Sequence, residues 1–85
     1  MAHFWKNEPN LIESDEGSIR IRGRAGLDVE YQGESVRVSS EMLAPPMTIA
    51  LFTRGQDAVD SERAGEILDF VVRGLEFAGF TVERD

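Results

Sequence analysis

The 85 residues, 41% of them apolar, are enough for one folded domain and leave little room for the deep, loop-walled cleft that most enzymes need. The lack of any cysteine excludes disulfides and thiolate metal sites, and leans towards a reducing compartment. Sixteen acidic residues against nine basic ones give a formal charge of −7, which repels phosphate backbones and anionic membranes and attracts a basic protein.

The opening Met1-Ala2-His3-Phe4-Trp5-Lys6 lacks the apolar run of a signal peptide. No stretch approaches the ~18 apolar residues of a membrane span, so the chain is expected to be cytoplasmic. Residues 1–9 read as a loose lead-in ending at Pro9, and residues 10–85 as a single domain. Leu11-Ile12 is a first short strand, and Ser14-Asp15-Glu16-Gly17 is a turn cluster. Ser18-Ile19-Arg20-Ile21-Arg22 alternates apolar and polar residues, as a strand with one buried face does.

After a turn at Gly23-Arg24-Ala25-Gly26, Leu27-Asp28-Val29-Glu30-Tyr31 alternates again. Gln32-Gly33 is a two-residue hairpin connection, and Ser35-Val36-Arg37-Val38-Ser39 returns antiparallel. Placing Tyr31 opposite Glu34 sets Val29 against Val36, Leu27 against Val38 and Asp28 against Arg37. Apolar then meets apolar and acid meets base, so turn and pattern agree on one register.

Pro45-Pro46 breaks the chain before the more uniformly apolar Met47–Thr53, which reads as a central strand covered on both faces. Arg54-Gly55-Gln56-Asp57 is a loop. Asp60 or Ser61 then caps a helix that runs to Ala78, with Glu62 in its first turn and Gly79 placed to end it. Ala64, Ile67, Leu68, Val71, Leu75 and Ala78 form its apolar stripe. Phe80-Thr81-Val82-Glu83 is the last strand. The whole is an α+β domain: a mostly antiparallel meander, one amphipathic helix packed on it, and a short final strand.

No catalytic, cofactor or metal residues are assigned. His3 is the only histidine and sits in the lead-in, so no nucleophile has a well-placed base. Asp28 and Glu30 share a strand face and are expected to pair with Arg20, Arg22 and Arg37. Glu13, Asp15 and Glu16 cluster in a turn without calcium-loop spacing. The partner-binding candidates lie on the helix. Glu62, Glu66, Asp69 and Glu76 stack at helical spacing with only Arg73 to compensate, and Phe70 and Phe77 share the flank. The rival surface is the open sheet face around Arg20, Asp28, Glu30 and Arg37.

Several segments have a family look: Ser18–Ile21, Val36-Arg37-Val38-Ser39-Ser40-Glu41-Met42-Leu43, Thr48–Phe52, Ser61-Glu62-Arg63 with Ile67-Leu68, and Leu75–Glu83. Together they resemble the bacterial immunity-protein family numbered 74, found with polymorphic and contact-dependent toxin systems. The likeness covers most of residues 18–83 and finds no counterpart for residues 1–17. It implies a cytoplasmic protein that neutralises a cognate toxin domain by tight binding, and it brings no catalytic residues. The rival readings are a small acidic adaptor unrelated to toxins and, in a different class, a minor enzyme using the carboxylates above.

Overall fold

The computed structural model describes residues 3–43 and 47–84. They form a seven-stranded sheet whose spatial order follows the chain, with one helix before the last strand. The strands are β1 (Phe4–Glu8), β2 (Leu11–Ser14), β3 (Gly17–Ile21), β4 (Ala25–Tyr31), β5 (Glu34–Leu43), β6 (Thr48–Leu51) and β7 (Thr81–Arg84). The helix, α1, is Ala64–Phe77. Neighbours are antiparallel except β6 and β7, which run parallel because α1 carries the chain back between them. This is the α+β architecture that the alternating segments predict.

The β4–β5 hairpin follows its sequence closely. Gln32 and Gly33 both take positive φ, 48° and 85°, the pairing that a two-residue primed turn requires. Tyr31 then lies opposite Glu34, Val29 opposite Val36, Asp28 opposite Arg37 and Leu27 opposite Val38, the predicted register. Strand β5 continues past its expected end at Ser39, and an irregularity between Ala25 and Leu27 lets it pair on as far as Glu41.

Directly paired residues share a face, so the register builds rows across the sheet. Ile12, Ile19, Val29 and Val36 make one inner row; Ile21, Leu27 and Val38 make the next. Strand β6 is interior, between β5 and β7, and buries Thr48, Ile49 and Leu51. The helix covers the inner face with Ile67, Leu68, Phe70, Val71 and Leu75, all buried. Each such side chain contributes ~1.5–3 kcal/mol on full burial. The helix comes close to the sheet at Gly74, where a Cβ would lie 2.5 Å from Ile19 Cδ1 and 3.1 Å from Phe4 Cε1. A Cβ there would force the Ile19 side-chain end and the Phe4 ring to shift.

The helix ends as predicted. Gly79 takes a φ of 96°, its N–H donates to the Glu76 carbonyl at 3.0 Å, and the Phe80 N–H donates to the Leu75 carbonyl at 3.0 Å. This is the Schellman arrangement, closed by contact of Phe80 with the same core that holds Leu75.

Elsewhere the structure departs from the sequence reading. The expected loose lead-in contains β1, because Phe4 turns inward onto Phe70 and Phe77, with centroids 5.4 and 5.9 Å away. The helix starts later than Asp60 or Ser61. The Ser61 hydroxyl does accept the Arg63 N–H at 3.0 Å, but Ala64 N–H then bonds the Ser61 carbonyl in one tighter turn. Helical bonding begins with Ile67 N–H to the Arg63 carbonyl, so Glu62 lies on a turn outside α1. The loop at 54–57 contains a short 3-10 turn, Gly55–Asp57. The Pro45-Pro46 break lies outside the described residues.

Candidate functional site

The predicted helix surface is only partly assembled. Glu66, Asp69 and Glu76 are exposed along α1, and Glu62 is exposed just before it. Arg73 already holds Asp69 through an ion pair one helical turn away. Phe70 is 1% exposed and packs on Tyr31, centroids 5.1 Å apart, so it belongs to the core and offers nothing to a partner. Phe77 is 52% exposed, stacked by one side on Phe4. The helix therefore presents carboxylates beside a single phenylalanine instead of a two-ring apolar flank.

Burial raises the Tyr31 phenol above its ordinary pKa, and the nearby Glu16 and Glu66 carboxylates add to the effect. The ring lies where helix and hairpin meet. Arg63 Nη1 donates to Gln32 Oε1 at 2.9 Å across the same junction.

The opposite face of the sheet carries no helix. Arg20, Asp28 and Arg37 lie side by side on β3, β4 and β5. Asp28 receives Arg22 Nε at 2.7 Å and Arg37 Nη2 at 3.2 Å, the internal pairing expected of it. Both arginines are more than half exposed, so each pair contributes only ~0–1 kcal/mol. Neither Arg20 nor Glu30 forms an ion pair with a described residue. A shallow depression of about 460 Å³ opens among these side chains, with Ser18, Glu30 and Ser35 on its other side.

A second depression, of about 570 Å³, adjoins it and shares Ser18 and Glu30. Trp5, Glu13, Asp15 and Glu16 complete its charged and aromatic lining. Trp5 pairs with Glu13, and its indole N–H donates to Glu13 Oε2 at 2.8 Å. The ring remains 38% exposed, tilted against His3 with centroids 6.2 Å apart. Among the described residues, no three His, Asp or Glu side chains converge to hold a metal ion.

Asp15 anchors the start of this assembly. Its Oδ1 accepts the His3 backbone N–H at 3.0 Å and the Ser14 hydroxyl at 2.9 Å. These bonds hold its pKa below the ordinary aspartate value, the His3 N–H most of all. A lowered carboxylate pKa stabilises the fold above the unfolded value, and that contribution is lost as pH falls through the folded value. The His3 amide resonance should therefore move only as pH falls below the ordinary aspartate value, and should stay fixed in Asp15→Asn. A His3 amide that titrates equally in both proteins would disprove the anchor.

Trp5 is the surface residue that sequence reasoning passed over. Two consecutive aromatics, Phe4-Trp5, in a polar opening segment are the available signal of a strand with one ring inward and one outward. Lone alternation over so short a run does not separate that strand from a lead-in.

No known protein-family model matches the chain, and no curated protein or solved structure matches it. Among the described residues no helix is long and apolar enough to cross a membrane.

Proposed function

We propose that this protein is a cytoplasmic immunity protein, which neutralises a cognate bacterial toxin domain by direct binding and does no chemistry of its own. The observation that carries the reading is where the charge of −7 sits. Glu62, Glu66 and Glu76 on the helix side and Glu30 on the sheet side are exposed on open surfaces rather than drawn into a cleft. Carboxylates so placed suit rapid capture of a basic protein better than acid–base catalysis, which needs a desolvated carboxyl with a shifted pKa. The resemblance across residues 18–83 supports a toxin domain as that partner.

Affinity capture from the native host, with mass spectrometry of what is retained, tests this. A basic toxin domain should be recovered, and the protein should protect cells that produce that domain. His3→Ala should protect equally well. Recovery of a metabolic enzyme with no protection would favour the adaptor reading, and a turnover abolished by His3→Ala would end the non-enzymatic one.

A further inference from the structure

We infer that the outer sheet face beside Trp5 is where the basic partner docks, with one arginine held against the Trp5 ring and a second cation at Glu30. This rests on the reading of the protein as a binder of a basic protein. The β1–β5 register sets Trp5, Glu13, Ser18, Glu30 and Ser35 in one row across the face. Glu30 is three strand spacings from Trp5, roughly 14 Å, so one side chain does not bridge them. Two basic side chains of one extended segment, four residues apart, span about the same distance.

The chemistry of the row favours arginine. The exposed Trp5 ring offers a π surface, and its N–H is already satisfied by Glu13 at 2.8 Å, so its orientation is fixed before any partner arrives. Tryptophan is over-represented among the anchors that dominate interface energies. Among the described residues, no lysine or arginine lines the depression beside it. The neighbouring depression is flanked by Arg20, Arg22 and Arg37, so the face changes sign along the strands. A partner whose own charges alternate is thereby oriented as well as attracted. The helix face has less to offer, since Asp69 is occupied by Arg73 and Phe77 is stacked on Phe4.

Trp5 is the only tryptophan, so its emission reports on this site directly. The full chain is titrated at low salt with an arginine–glycine repeat peptide, followed by fluorescence and by calorimetry. A glutamate–glycine peptide serves as control, and circular dichroism checks the fold of each variant. We expect a saturable change in Trp5 emission with the arginine peptide only. Glu30→Lys should weaken binding about tenfold, whereas Glu66→Lys, the same charge change on the helix, should weaken it less than about twofold. Equal losses, a larger loss in Glu66→Lys, or binding without a Trp5 response would overturn the site and leave the basic-partner reading standing. Absence of calorimetric binding to the arginine peptide would overturn both.

Discussion

Phe70→Ala should lower stability by about 3–5 kcal/mol, measured as a fall in the denaturant midpoint. The ring is 1% exposed and sits between Tyr31 and Phe4, with centroids 5.1 and 5.4 Å away. Removing it takes away a large apolar volume and two ring contacts at once, and helix and sheet cannot close the gap without dislodging Ile67 or Val71. Domains of this kind hold only ~5–15 kcal/mol in total, so the variant would be partly unfolded at modest temperature. It would then lose partner binding by losing its fold. Phe77→Ala is the contrast, since half its ring is exposed and it makes one ring contact at 5.9 Å. It should lose only about 0.5–1.5 kcal/mol. A Phe70→Ala loss below about 1 kcal/mol would show that the ring is outside the core.

Those two phenylalanines also mark how far the sequence carries. Seven residues apart on a helix, they point within ~20° of each other, and periodicity assigns them one environment. The structure separates them because periodicity gives a direction and not the extent of the layer beneath. Phe70 lies over Tyr31 of β4 and Phe4 of β1. Among the described rings Phe77 meets Phe4 alone, on the strand that ends the sheet. The β4–β5 register was fully legible, since a two-residue turn and alternation over five positions admit one pairing. The start of α1 was not, because the Ser61 hydroxyl bond to the Arg63 N–H is common to a helix cap and a local turn. The row containing Trp5 depends on β1 pairing with β2, which no local pattern in the opening segment specifies.

Gly17→Ala should also be strongly damaging, for a different reason. Gly17 opens β3 and pairs with Tyr31. A Cβ there would lie 1.8 Å from the Glu30 carbonyl oxygen, 2.8 Å from its carbon and 3.0 Å from Tyr31 Cα. Every one of these is backbone, so no rotamer change relieves the overlap. Strand β3 must move away from β4, which pulls at the Ile19–Val29 pairing and at the contact of Ile19 beneath Gly74. Overpacking usually costs ~1–3 kcal/mol where side chains yield, and a clash with fixed backbone belongs at or above the top of that range. Gly17 and Glu30 both line the Trp5 depression, so any folded Gly17→Ala protein should also show altered Trp5 emission. Gly65→Ala is the matched control. It lies in α1 with nothing within 4 Å of its would-be Cβ, and should gain about 0.5–1 kcal/mol from helix propensity. If denaturant midpoints for the two variants fall within error of each other, the close approach of β3 to β4 at Gly17 is wrong, and with it the register that places Glu30 on the face of Trp5.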